Sequence, residues 1–120
     1  MHNFKKLKIW SESMQLVSES YKVTKTFPKF ETYGLMSQMN RCAVSIPSNI
    51  SEGSSKSSDK HFSTYLEHSL GSAFEWETQL NVAFNENYIS EEMDAVIGKH
   101  VSGIILRGIP SHVQNNDMTG

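Results

Sequence analysis

Only one cysteine, Cys42, occurs in the 120 residues. A single thiol excludes an internal disulfide framework and a cysteine-based zinc cluster. It suits a reducing compartment, so a cytoplasmic location is expected. No stretch approaches the roughly 20 consecutive apolar residues of a membrane span. The basic start, MHNFKKLKIW, is followed by polar residues where a secretion signal would place its apolar core. No phosphate-cradling glycine loop is present, because Gly53 stands alone among serines. The five histidines form neither a Glu-x-x-His pair nor a His-Glu-x-x-His motif, which removes the di-iron bundle and metalloprotease patterns. His61 and His68 share a helix face but make too small a ligand set, and solvated surface is their simpler role. No metal, cofactor or catalytic constellation is expected.

What is present is enough apolar material for one helical domain. Hydrophobic residues make up 38 % of the chain, including six Met, six Phe, four Tyr and two Trp. Leu7, Trp10, Met14, Val17, Tyr21 and Thr24 recur at a 3-4 spacing, the seam of an amphipathic helix. Asn3 is a candidate N-cap and Phe27-Pro28 a stop. Leu35, Met39, Cys42, Ile46, Asn49 and Gly53 form a second seam, with Glu31 or Thr32 as its start. Its phase passes through Pro47 unbroken. A proline inside a helix costs about 3 kcal/mol, yet two helices joined by a loop would reset the rhythm. One helix running through Pro47, kinked and not stopped, is therefore expected.

The small polar run SSKSSD (54–59) reads as a linker, with Ser57 or Ser58 capping a third helix. That helix has the seam Phe62, Leu66, Ser69, Ala73, Trp76, Leu80 and Ala83. A fourth follows Ser90, with Glu91 and Glu92 in its dipole-favoured first turn. Its seam is Ile89, Met93, Ile97, Val101, Ile104 and Gly108, and Pro110 ends it. Short connections favour antiparallel neighbours. The expected fold is all-α, an antiparallel up-down-up-down four-helix bundle over residues 1–110. Residues 111–120 read as a polar, frayed tail. Ile9, Leu16 and Val23, then Leu70 and Phe74, then Ile105 and Ile109 lie off these seams. They mark either a subunit interface or a wide core face.

Net charge is −2, but its distribution is uneven. Residues 1–60 carry nine Lys/Arg against five Asp/Glu, a net +4; residues 61–120 carry two against eight, a net −6. Lys5, Lys6 and Lys8 start the first helix, and Lys56 and Lys60 flank the serine linker, which antiparallel geometry returns to the same end. Lys22, Lys25 and Lys29 gather at the opposite end. Two basic ends suit phosphate contact, or are ordinary solvated lysines. A polar row, Arg41, Ser45, Ser48 and Glu52, runs beside the second seam, on which Asn49 itself stands. Arg41 and Glu52 lie about 16 Å apart along a helix and cannot pair. Glu75 is a candidate partner for Arg41, and Ser69, Ser72 or a backbone donor for Glu52. The row either fixes helix register from the inside or contacts a ligand. Cys42, between Met39 and Ile46, reads as a small hydrophobe.

The stretch YGLMSQMNRCAVSIPSNISEGSS resembles the four-helix-bundle proteins encoded in intervening sequences of bacterial 23S rRNA genes. The resemblance spans about residues 4–90. It rests on Leu7 and Trp10, Phe27-Pro28, Tyr33-Gly34-Leu35, Gln38, Arg41, Ser45-Ile46, Asn49-Ile50, Glu52-Gly53, Phe62, Gly71-Ser72, Glu75 and Gln79-Leu80. It implies an up-down-up-down bundle that assembles as a homo-oligomeric ring, a pentamer, without enzymatic activity. It makes Arg41, Ser45, Asn49, Glu52, Gly53, Ser72 and Glu75 the polar core of the family motif. It also reaches the accessory variability determinant bundles of diversity-generating retroelements, which bind nucleic acid and a reverse transcriptase and are strongly basic; this chain is not. The expected function is binding of RNA or a ribonucleoprotein through the basic ends. A protein-interaction or scaffold module is the alternative.

Overall fold

The computed structural model describes residues 3–104 and 108–110. The tail 111–120 and Ile105 lie outside them. Four α-helices follow a short 3-10 turn at Phe4–Lys6: α1 (Lys8–Thr24), α2 (Leu35–Ser54), α3 (Asp59–Asn85) and α4 (Glu91–Gly103). Among the described residues there is no strand, and no helix is long and apolar enough to cross a membrane.

The helix ends follow local chemistry. Ser58 accepts the amide of His61, and Ser90 that of Met93, so both serine caps form as the sequence predicts. Asn3 caps nothing through its side chain, and α1 starts later, after Leu7. The α2 start is capped from a distance: Glu31 Oε1 accepts the Leu35 amide at 3.0 Å. At the end of α3, Asn87 takes the left-handed conformation with φ of 62°. Tyr88 and Asn87 then donate their amides to the carbonyls of Ala83 and Phe84. This is a Schellman ending with asparagine where glycine is usual.

Helix α2 is unbroken through Pro47. Its core face is Met39, Cys42, Ala43, Ile46, Ile50 and Gly53. Ile50, not Asn49, occupies the seam; Asn49 is half-buried and turns back to donate to the Ser45 carbonyl at 2.8 Å. Helix α3 buries Phe62, Leu66, Ser69, Ala73, Trp76, Leu80 and Ala83, every position of its predicted seam. Helix α4 buries Ile97 and Val101, with Ile89 and Ile104 at its flanks.

Helix α1 is rotated from its predicted face. Its buried row is Ile9, Ser13, Leu16, Ser20 and Val23. Met14 and Tyr21 are 42 % and 45 % exposed. The off-seam residues Ile9, Leu16 and Val23 are thus the core, and Leu7, Trp10 and Val17 only pack against its edge.

Contacts fix the helix directions. Phe4 and Trp10 share a cleft with Pro47 and Ser51, while Tyr21 shares another with Met36 and Asn40. The start of α1 therefore lies beside the end of α2. Cys42 meets Ser72 and Gly53 meets Tyr65, so α2 and α3 also run in opposite senses. His100 Nδ1 lies 2.9 Å from the Glu19 carboxylate, and Gly108 lies against Ile9, which returns α4 along α1.

The centre of the bundle holds a polar relay across three helices. Trp76 Nε1 donates to Ser20 Oγ at 3.0 Å, and Ser20 donates to Asn40 Oδ1 at 2.9 Å. Asn40 Nδ2 donates to Thr24 Oγ1 at 3.0 Å. Ser20 and Thr24 are fully buried, and each group has a partner, as burial requires. Ser69 adds a second tie, donating to the Ile46 carbonyl at 2.8 Å.

Candidate nucleic-acid interface

The lysines sit at two ends because the helix ends do. Lys5 and Lys6 occupy the opening 3-10 turn, and Lys8 begins α1. Phe4 shares a cleft with Ser51 at the end of α2, so these lysines stand at the end of the bundle where α2 passes into α3. Lys56 lies in that connection and Lys60 in the first turn of α3. Two of the five are engaged. Lys8 Nζ is 3.7 Å from Glu12, and Lys56 Nζ lies 5.1 Å from the centroid of the Tyr65 ring. A cation over a ring keeps its charge but gives up part of its freedom to reach a phosphate.

The opposite end is built differently. Lys22 lies in the last turn of α1, Lys25 follows the helix, and Lys29 opens the 3-10 turn Lys29–Glu31; all three are exposed. Two aromatic rings accompany them in water, Phe30 at 78 % and Tyr33 at 96 % exposure. The loop is held from below. Tyr88 donates its hydroxyl to Glu31 Oε2 at 2.9 Å, and its ring meets Phe27 at 5.4 Å and Phe30 at 6.3 Å between centroids. Glu31 thus joins the α2 start to the loop before α4. Beside Tyr33 a cleft of about 480 Å³ runs between α1 and α2, walled by Tyr21, Met36, Ser37 and Arg41.

The predicted polar core of the family motif is not a core. Arg41, Glu52 and Glu75 are exposed, and Ser45 and Ser72 half-buried. The polar row faces outward because Ile50 and Ala43 hold the inner face of α2. Arg41 and Glu75 line one groove with Gln38, Cys42 and Ser45, but the Arg41 guanidinium reaches Ser37 at 3.5 Å and makes no ion pair with Glu75. Of the partners expected for Glu52, Ser69 is spent on the Ile46 carbonyl. Gly53 is buried against Tyr65 and Phe62. The central polar role falls to Ser20, Thr24, Asn40 and Trp76. Ser20 and Asn40 escape periodicity because polar residues score as surface. Phe30 and Tyr33 did leave a signal: two large rings inside the polar stretch PKFETYG.

Among the described residues no group of three or more His, Cys, Asp or Glu side chains is placed to hold a metal ion. Cys42 is buried and donates to the Ser72 carbonyl at 3.1 Å. Burial, with the Glu75 carboxylate beside it, pushes its thiol up to about 12. A thiolate is the nucleophile, so this side chain is inert at neutral pH. The hydrogen bond to Glu31, foremost, also raises the Tyr88 phenol. Both groups bind their protons more tightly folded than unfolded. For Cys42 that contribution is complete below the ordinary thiol value near 9 and is lost as pH rises towards 12. The melting temperature is expected to fall between those limits, and less steeply in Cys42→Ala. Equal slopes for the two proteins would show that Cys42 titrates freely.

Comparison with known proteins adds a family and a fold. Residues 5–105 match the family described as 23S rRNA-intervening sequence protein. A crystal structure of a protein of unknown function from the S23 ribosomal protein family of Bacteroides thetaiotaomicron VPI-5482 superposes with a TM-score of 0.78 at 22 % identity, covering 87 % of this chain and 97 % of that one. No curated protein matches the chain.

Proposed function

The chain belongs to the 23S rRNA-intervening sequence protein family, and from that premise we propose that it is a non-enzymatic, cytoplasmic, homo-oligomeric bundle that binds RNA or a ribonucleoprotein. The observation that carries this reading is the end bearing Lys22, Lys25 and Lys29 beside the solvent-exposed rings of Phe30 and Tyr33. Cationic side chains collect phosphates, and exposed rings give bases a surface to stack on. The acidic second half leaves the basic ends as the surfaces attractive to a polyanion.

Self-association draws on a different surface. The groove lined by Phe4, Trp10, Met14, Val17, Val44 and Pro47 carries no charged side chain. A second copy covering it would complete a ring of the kind the family resemblance implies. Light scattering of a stable monomer would argue against the ring.

Binding is tested with a fluorescently labelled, structured RNA. Affinity is expected to fall steeply as salt rises from about 50 to 200 mM, with a logarithmic slope of about −3 for three or four neutralised phosphates. Undetectable binding at the lower salt, or binding indifferent to salt, overturns the reading. The charge-free groove would then favour the alternative, a protein-interaction module, and capture of a partner that survives nuclease would support it.

A further inference from the structure

We propose that the cleft between the end of α1 and the start of α2 is a site for unpaired bases of single-stranded RNA, with Tyr33 as the stacking platform. This rests on the RNA-binding reading and names the form of RNA that this end recognises.

Three features point there. The first is Tyr33 itself. Its ring is 96 % exposed on a loop whose neighbours are pinned, by Glu31 to the Leu35 amide and by Tyr88 to Glu31. A rigid loop holds the ring in water without burying it, and a base that stacks on it needs little ordering of the protein. The second is the cleft at its foot, about 480 Å³, with Tyr21 on the facing wall. That size lies within the range of small-ligand clefts, and Tyr21 offers a second aromatic surface. The third is the charge around the opening. Arg41 lines the cleft; Lys22 follows Tyr21 in the last turn of α1, and Lys25 is the residue just past the helix. No acidic side chain lines the cleft.

These features select single strands. In a duplex the base faces are covered by their neighbours, and a protein meets sugars and phosphates. A protruding ring gains its contact only from bases that are free to unstack. The cleft also lacks a strong means of reading sequence. Asn40, an amide in its lining, has its oxygen occupied by Ser20 and one of its two N–H groups by Thr24, which leaves at most one donor and no acceptor pair for a bidentate contact to a base. Ser37 is already in contact with Arg41. Recognition here is therefore tolerant of sequence, with Arg41 and the lysines holding the flanking phosphates. The charge-free groove further down the same face has no such groups and suits protein.

The test uses the full chain and two labelled probes, an oligouridine of about 12 nucleotides and a fully paired RNA duplex of similar length. The single strand is expected to bind more tightly. Tyr33→Leu is expected to weaken oligouridine binding about tenfold, the loss of one stacked base, while leaving duplex affinity and the salt slope unchanged. Tyr33→Trp restores binding. Lys25→Gln lowers the salt slope by about one and weakens both probes. An unchanged oligouridine affinity in Tyr33→Leu, or an equal loss for both probes, overturns the site while salt-dependent RNA binding still stands. A change of oligomer size in Tyr33→Leu, seen by light scattering, also overturns it and assigns the cleft to a contact between copies. If neither probe binds the unaltered protein, the RNA-binding reading itself fails and this site with it.

Discussion

Trp76→Ala is expected to remove about 4 kcal/mol of stability, since truncating a fully buried aromatic costs about 3–5 kcal/mol. Trp76 is completely inaccessible at the centre of α3 and is among the largest buried side chains of the bundle. Its loss leaves a cavity that helices held by the Ser69–Ile46 and Cys42–Ser72 hydrogen bonds cannot readily collapse. It also deprives Ser20 of the N–H it accepts. A domain of this size holds about 5–15 kcal/mol in all, so the variant should be close to unfolding at room temperature. Trp76→Phe separates the two contributions. It keeps most of the apolar contact and loses the donor, and should cost about 1–2 kcal/mol. Urea denaturation followed by helical circular dichroism measures both. A loss under about 1.5 kcal/mol in the alanine variant would show that the core closes over the gap.

Gly53→Ala is the second large effect, and its sign opposes helix propensity. Alanine is the better helix former by up to about 1 kcal/mol. At Gly53, however, an added Cβ would stand 2.6 Å from the Tyr65 Cβ and 3.0 Å from a Phe62 ring carbon. The Tyr65 Cβ is fixed to its backbone and cannot swing away, so α2 and α3 must part where they are joined. Overpacking of this kind costs about 1–3 kcal/mol, and more when backbone must move. At Gly98 nothing lies within 4 Å of the added carbon. Gly98→Ala should therefore raise the melting temperature and Gly53→Ala lower it. The same sign for both would mean that the close approach of α2 and α3 is not rigid.

Sequence periodicity locates α3 without error because its core row is long, regular and confined to one face. It also carries α2 through Pro47, since the apolar rhythm holds phase where a loop would break it. It fails on α1 for a definite reason. Two stripes compete there, and the one with the larger side chains, Trp10, Met14, Val17 and Tyr21, looks more like a core. The true core row alternates Ile9, Leu16 and Val23 with Ser13 and Ser20. Ser13 satisfies itself on the Ile9 carbonyl, and Ser20 joins the relay to Trp76 and Asn40. A serine that spends its hydroxyl inside the molecule can be buried, and hydropathy alone does not reveal that. The misplacement of Arg41, Glu52 and Glu75 has the mirror-image cause: a recurrent polar motif invites an inward reading, while their charges stay in water. In the candidate interface the lysine ends were legible from charge and topology. The standing of Phe30 and Tyr33 was not, because an aromatic residue is presumed inward until burial is known.

The relay from Trp76 through Ser20 and Asn40 to Thr24 makes helix alignment all-or-none. Apolar burial is non-directional and constrains helix alignment only through the fit of side-chain shapes. Hydrogen bonds are directional. Sliding α1 by one turn carries Ser20 about 5.4 Å along the axis, beyond reach of both Trp76 and Asn40, and strands an indole N–H and an amide in an apolar interior. The three helices therefore have one setting in which Trp76, Ser20, Asn40 and Thr24 are all joined. Such a bundle behaves as a keyed shaft: the exposed loop at its end, with its lysines and rings, is held at one fixed angle to the body.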